Sequence, residues 1–174
     1  FFNFDRLISN KLELRLDKCK FMESEIKYLG YRIDANGIRP DEKNIDSVVN
    51  FPYPRNVKDI QSFLGLCSYF RRFIKNFSII AKPLYDLTHK NVEYRFAENE
   101  LQCFEILKGK LVEAPILSIY NSRDETELHC DASSHGFGAI LLQKKADGLF
   151  HPIFYYSRRT TDYESRYHSF ELEA

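Results

Sequence analysis

Nothing in the 174 residues approaches the unbroken apolar run of about 18 that a membrane-spanning helix requires. The start, FFNFDRLISNKLELRL, also lacks the basic-then-apolar order of a secretory signal. The chain is therefore read as intracellular, with no membrane partner. Cysteine is scarce, and the four thiols, Cys19, Cys67, Cys103 and Cys130, lie far apart without a CxxC pair or other zinc spacing. That argues against a zinc module and leads to the expectation of buried free thiols. Internal repeats and low-complexity tracts are missing too. There is no initiator Met: the first residues fall inside an apolar helix-like pattern and the last, ELEA, inside another, so a piece of a longer polypeptide is expected.

What is present is ordinary for a folded chain: 44% hydrophobic and 29% charged residues, in a length that suits one domain or two small ones. The formal net charge is zero, but residues 1–90 carry 16 basic against 11 acidic side chains and residues 91–174 carry 9 against 14. The excess is sharpest over 55–90, where Arg55, Lys58, Arg71, Arg72, Lys75, Lys82 and Lys90 face only Asp59 and Asp86. Such asymmetry suggests that one part meets a polyanion while another handles cations or chemistry.

Residues 1–14 space apolar side chains at Phe4, Leu7, Ile8, Leu12 and Leu14, as a helix end running into a strand would. EIKYLGYRIDANGIRP, residues 25–40, reads as a hairpin with a strand over 26–33, an Asn36-Gly37 turn and a short return. Pro52 and Pro54 break FPYPRN, which marks a linker and a boundary. Over 57–77 the positions Val57, Ile60, Phe63, Leu64, Cys67, Phe70, Ile74 and Phe77 predict one long amphipathic helix capped by Asn56. A short helix over 81–87 and a longer one over 98–112 follow, the latter with Leu101, Phe104, Leu107 and Leu111 inward, and Pro115 ends the run. The period then becomes two, predicting strands over 126–131, 138–144 and 151–157. A helix comes next, opened by Thr161 and Glu164 as a capping box, with Tyr163, Tyr167, Phe170 and Ala174 on its apolar face. Met22 and the aromatic stretch FHPIFYY read as core and strand residues.

Two patterns carry chemistry. In QSFLGLCSYFRRFIKNF, Gln61, Gly65 and Tyr69 stand four apart on one helix stripe, with Arg72 continuing it. A glycine inside a helix costs about 1 kcal/mol relative to Ala, which points to close approach of another backbone. Against a duplex, Gln61 can reach minor-groove acceptors, which scarcely discriminate sequence, Tyr69 offers a flat contact, and Arg71, Arg72 and Lys75 supply phosphate contacts. Tight packing of another helix at Gly65 would leave the same pattern. In HCDASSHGFGAILLQ, Asp131 closes a strand and is followed by small residues, while the later helix carries Glu171 and Glu173. Two carboxylates from a strand and a helix can seat Mg²⁺, and two such ions beside a phosphodiester can activate water and steady the leaving oxygen. The small residues would leave room for the substrate backbone. Periodicity leaves Glu171 and Glu173 equally open. A strand-end Asp with two solvated glutamates fits the same residues. His129, His151 and His168 fit no metal spacing and read as surface or hydrogen-bonded histidines.

LRLDKCKF, IKYLGYRIDANGIRPDEKNIDSVVNFPYPRNVKDIQSFLGLCSYFRRFIKNFSIIAKPLYDLT, FEILKGKLVEAPIL, HCDASSHGFGAILLQ, HPIFYYSRR and YHSFELEA together resemble, in order and spacing, the Pol polyprotein of gypsy-type (Metaviridae) long-terminal-repeat retrotransposons. The resemblance implies a multi-part α+β or α/β chain. Residues 1–51 would be the end of the reverse transcriptase palm, 52–115 a helical thumb with its extension, and 116–174 the first part of a ribonuclease H-like domain of three antiparallel strands and a helix. It implies that Tyr28, Leu29, Gly30 and Tyr31 form a primer-grip hairpin, that Gln61, Gly65 and Tyr69 follow the minor groove, and that Asp131 and Glu173 are the first two catalytic, Mg²⁺-binding carboxylates. Implied partners are the primer-template, an RNA–DNA hybrid and the rest of the polyprotein, in cytoplasmic virus-like particles with access to the nucleus.

The polymerase's Tyr-x-Asp-Asp motif would lie upstream of residue 1, and the remaining two ribonuclease H carboxylates past residue 174. The parent is thus expected to perform RNA-directed DNA synthesis and Mg²⁺-dependent hydrolysis of RNA in hybrids, with this segment inactive alone. The alternatives are a non-catalytic, connection-like module that only positions nucleic acid, and a domesticated or decayed retroelement protein.

Overall fold

In the computed structural model, which describes residues 4–90 and 92–173, two three-stranded antiparallel sheets flank a helical segment. Helix α1 (Phe4–Ser9) is followed by a 3₁₀ turn at Leu16–Lys18, not by the expected strand. Ile8, Leu12, Leu16 and Met22 are all exposed there, so Met22, expected in the core, packs on nothing.

The first sheet is a meander of β1 (Glu25–Tyr28), β2 (Tyr31–Asp34) and β3 (Gly37–Pro40). The single strand expected over 26–33 is two, because the chain reverses at Leu29 and Gly30, where φ is +45° and +74°. Two positive φ values in a two-residue loop match the right-handed twist of flanking strands. At the second turn Asp34 Oδ1 accepts from the N–H groups of Asn36 (2.8 Å) and Gly37 (3.2 Å), and the first of these bonds does most to hold the Asp34 carboxyl below its ordinary pKa. Gly37 has φ +139°, and a Cβ there would lie 2.2 Å from the Leu117 carbonyl oxygen. That contact belongs to a pair of backbone bonds, Ile38 N to Leu117 O (2.7 Å) and Leu117 N to Ile38 O (2.9 Å). Helix α2 (Glu42–Val49) was not anticipated; it begins after Pro40-Asp41 and buries Val48 completely.

Helix α3 (Val57–Tyr69) is capped as expected, Asn56 Oδ1 accepting from Asp59 N at 3.0 Å. It ends eight residues short of the predicted Phe77. A 3₁₀ turn at Arg71–Phe73, an extended Ile74 and a left-handed Asn76 (φ +58°) separate it from α4 (Phe77–Ile80). The break lets Phe70, Phe73, Ile74 and Phe77 all bury while Arg71 and Lys75 stay in solvent. Helix α5 (Lys82–Asp86) carries Pro83 in its first turn, where no N–H is needed, and α6 (Glu98–Val112) has the predicted extent. The core lies between these helices: Phe63 and Phe104 meet at 4.3 Å between ring centroids, with Ile60, Leu84, Leu107, Leu111 and Leu117 fully or almost fully buried around them. Burial pushes the Cys67 thiol up to about 12 and the Cys103 thiol to about 11. Cys19 is only half-buried and Cys130 is exposed, so the expectation of buried thiols fails for both.

The second sheet pairs β4 (Thr126–Ser133) with β5 (Gly136–Lys144) and β5 with β6 (Phe150–Arg159). All three strands run longer than predicted, so Asp131 lies inside β4, opposite Gly138, and does not close it. The sheet docks on the helical segment: Ser78 N donates to Ser157 Oγ (2.9 Å) and Arg159 pairs with Asp86 (3.0 Å). Ser118 N donates to Pro152 O (2.8 Å), so the stretch 117–118 ties both sheets together. Thr161 and Glu164 do form the reciprocal capping box, but it opens only a 3₁₀ turn at Glu164–Arg166. Helix α7 (Ser169–Glu173) starts anew, and its buried side chain is Leu172, whereas Tyr163, Tyr167 and Phe170 are exposed. Ala174, the fourth member of the expected apolar face, lies outside the described residues.

Candidate functional site

The first candidate surface forms where the β1–β2 turn meets α3. Leu29 in a left-handed conformation costs about 1 kcal/mol, and three contacts hold the turn in place. The Tyr69 hydroxyl donates to Leu29 O, Asp41 N donates to Gly30 O (2.9 Å), and Asn44 Nδ2 donates to the same oxygen (3.1 Å). Tyr31 stacks on Tyr69 with ring centroids 5.4 Å apart and planes 13° off parallel, and its hydroxyl donates to Tyr69 O. Burial raises the Tyr31 pKa. The predicted hairpin residues and the predicted helix stripe are therefore one surface, joined by Tyr69.

On that surface Tyr28 and Leu29 are exposed, as are Gln61 and Gly65. Nothing lies within 4 Å of a Cβ built on Gly65, which rules out helix packing as the reason for this glycine among the described residues. A shallow cleft of about 470 Å³ is lined by Leu29, Gly30, Asn44, Gly65, Leu66 and Tyr69, among others. Asn44 and Leu66 were not anticipated; Asn44 sits on the unforeseen α2. Arg72 does not continue the stripe, because α3 has ended. Its guanidinium stands 5.2 Å from the Phe154 ring centroid and 6.0 Å from that of Tyr31, bridging the two sheets by cation–π contact. Arg71 and Lys75 remain exposed.

The second candidate surface is a cleft of about 560 Å³ beside β4, whose lining includes Cys130, Asp131, Ala132, Tyr156, Arg158 and Glu173. Asp131 and Glu173 thus share one cleft. Glu171 does not line it; its Oε2 accepts from His168 N at 3.1 Å and caps α7. Arg158 is fixed at the cleft by two bonds of 3.0 Å to Glu164, whose carboxyl this pairing lowers to about 2. Asp131 also borders a smaller cleft of about 150 Å³ with Lys75, Asn76 and His129. His129 itself bonds Glu127 at 2.7 Å, and His151 bonds Asp147 at 2.7 Å, as expected of hydrogen-bonded surface histidines.

The small residues after Asp131 have a partly different explanation from the one expected. A Cβ on Gly138 would lie 3.1 Å from Asn76 Oδ1, and one on Gly136 would lie 2.8 Å from the Arg158 carbonyl and 3.5 Å from Ile79 Cγ1. Gly138 admits Asn76 of the helical segment to the sheet, whereas Gly136 admits the Arg158 carbonyl of the neighbouring strand β6. Ala132, Gly138 and Ala139 are the small residues that line the cleft.

Residues 96–174 match the family model of an RNase H-like domain found in reverse transcriptase. The chain is 35% identical over 171 residues to the retrovirus-related Pol polyprotein from transposon 297 of Drosophila melanogaster, covering 98% of this chain and 16% of that protein. It is 33% identical over 162 residues to the transposon Tf2-3 polyprotein of Schizosaccharomyces pombe, covering 93% of this chain and 12% of that one. The chain thus spans a small part of the curated relatives it matches. Among solved structures it resembles the foamy viral protease-reverse transcriptase dRH in complex with double-stranded DNA, at TM-score 0.79 and 27% identity over 97% of this chain and 30% of that one. It also resembles the foamy viral protease-reverse transcriptase in complex with RNA/DNA hybrid, at TM-score 0.75 and 27% identity over 90% of this chain and 21% of that one. Residues 96–174 thus resemble an RNase H-like domain of the kind found in reverse transcriptase, in a sequence similar along almost its whole length to a stretch of retrotransposon Pol polyprotein.

Proposed function

We propose that this chain is the thumb-side and ribonuclease H-side segment of a gypsy-type reverse transcriptase, holding primer-template and RNA–DNA hybrid inside the cell while the parent synthesises DNA and hydrolyses the RNA strand. On this reading Tyr28, Leu29, Gly30 and Tyr31 meet the primer strand, Gln61, Gly65 and Tyr69 lie along the minor groove, and Arg71, Arg72 and Lys75 contact phosphates. Asp131 and Glu173 are the hydrolytic carboxylates. The observation that carries it is the shared cleft of Asp131 and Glu173 within a domain of this family.

The donor set suits Mg²⁺, since both side chains offer only oxygen and both are exposed to a hydrated ion. On this reading they are two ligands of a larger set, and among the described residues no group of three or more His, Cys, Asp or Glu converges. Bound there, the ion would lower the pKa of water and stabilise charge on the phosphoryl oxygens. Arg158, held by Glu164, stands on the same cleft to meet the phosphate of an incoming strand. The test is titration of the chain with Mg²⁺ followed by amide resonances. Asp131 and Glu173 should shift with one midpoint, and Asp131→Asn should abolish the shift at Glu173. Separate midpoints, or a Glu173 shift that survives the substitution, would refute a shared ion.

One observation favours a second reading, a module that only positions nucleic acid. Gly136, Gly138, Ser157 and Arg159 give their face of the sheet to α4, α5 and Asn76. A sheet so occupied serves to fix the helical segment whether or not Asp131 hydrolyses anything.

A further inference from the structure

Between the two candidate surfaces lies a third concavity of about 330 Å³, at the outer edge of β6 against α4 and α5. Its lining includes Arg71, Tyr85, His89, Ser157, Arg158 and Arg159. The Arg159 guanidinium is already oriented by Asp86, an acid outside the lining, while Arg158, one position away on β6, turns its guanidinium over Phe137 and toward Glu164 on the other face of the sheet. Arg71 is exposed and makes no ion pair among the described residues, so the pocket keeps an uncompensated positive charge. Tyr85 shares the lining with Arg71, and its pKa is raised by burial, an effect that the Arg71 charge partly offsets. Rigid guanidinium forks with hydroxyls around a small cavity are the donor set that tetrahedral phosphate oxygens require.

Position identifies the source of the phosphate. Arg71 follows Tyr69 of the grip surface by two residues, and Arg158 lines both this pocket and the cleft of Asp131 and Glu173. We propose that this pocket holds a backbone phosphate of a nucleic-acid strand running from the grip surface to the carboxylate cleft. The proposal rests on the nucleic-acid reading above, and the test separates the two.

The 174-residue chain is titrated with inorganic phosphate and, separately, with a short labelled RNA–DNA hybrid, beside Arg71→Gln, which breaks no ion pair, and Tyr85→Phe. Phosphate should shift the amide resonances of Ser78, His89 and Arg159 in the wild type and leave them still in Arg71→Gln. Hybrid affinity should fall about tenfold in Arg71→Gln, and its dependence on log salt should flatten by about 0.9, one phosphate's share. Tyr85→Phe should weaken both ligands less. Phosphate shifts lost in Arg71→Gln with hybrid affinity unchanged would overturn the backbone source. No phosphate shift at these residues would overturn the pocket, even if hybrid binds normally. If hybrid fails to bind even the wild type, the nucleic-acid reading and the proposed strand path fall together, while phosphate alone decides whether the pocket takes an anion.

Discussion

Gly65 offers the sharpest test of the grip surface because stability and binding should move in opposite directions. It sits inside α3, exposed, with no atom within 4 Å of where a Cβ would stand. In that setting Gly65→Ala removes the backbone entropy penalty of glycine and should stabilise the chain by about 1 kcal/mol. For a chain of this size that corresponds to a rise in Tm of about 2–4 °C. If glycine is retained so that a sugar-phosphate edge can lie against the helix, the same methyl must push the duplex away. A wet interface can absorb one methyl, so Ala should lose about threefold in hybrid affinity. Gly65→Leu, overpacked against the strand at about 1–3 kcal/mol, should lose about tenfold to a hundredfold. Thermal melts give the first quantity and fluorescence anisotropy with a labelled RNA–DNA hybrid at fixed salt the second. A Gly65→Leu protein that melts no lower than the wild type and binds hybrid equally well would refute the close approach, and with it the assignment of this stripe to the minor groove.

Gly37→Ala should be severe, because the new Cβ meets the Leu117 carbonyl and φ +139° suits only glycine. Strain plus loss of the bonds between Ile38 and Leu117 should cost about 2–5 kcal/mol in urea unfolding. A cost under about 1 kcal/mol would mean that the link between β3 and Leu117 is dispensable. Glu164, its carboxyl lowered to about 2 by Arg158, adds stability that is present above its ordinary value of 4.5 and lost as pH falls toward 2. Glu164→Gln should flatten the stability profile across that window and lower stability by a constant amount above pH 5, whereas an unaltered acid limb would show that the pair contributes nothing.

Helix α6 was legible because its apolar period runs unbroken to Pro115, and tertiary contacts had nothing to override. The Leu29-Gly30 turn was not, since Leu is a poor residue for positive φ and carries no turn signal. The turn exists because Tyr69, Asp41 and Asn44, far along the chain, clamp its carbonyls. The choice between Glu171 and Glu173 was invisible for a related reason. Periodicity assumed one helix from Thr161, but the 3₁₀ turn at Glu164–Arg166 resets the phase, and a second cap at His168 consumes Glu171. The predicted helix over 57–77 failed where burial of four large side chains, Phe70, Phe73, Ile74 and Phe77, outweighed continuation of the helical ladder.

The broken end of α3 is also where the two candidate surfaces become mechanically one. Within residues 69–78, Tyr69 clamps the grip turn, Arg72 stacks between Tyr31 and Phe154, Asn76 fills the space that Gly138 leaves opposite Asp131, and Ser78 bonds Ser157. A continuous helix could not meet all four, because its side chains would leave one rigid axis at fixed angles, while the turn and the left-handed Asn76 re-aim the chain between contacts. The spacing between grip and carboxylate cleft is therefore set by ten consecutive residues and not by a flexible linker. On the proposed reading, a nucleic-acid strand that engaged one surface would meet the other at a fixed distance, the arrangement an enzyme would need for synthesis at one site and cleavage at the next to stay in register on the same hybrid.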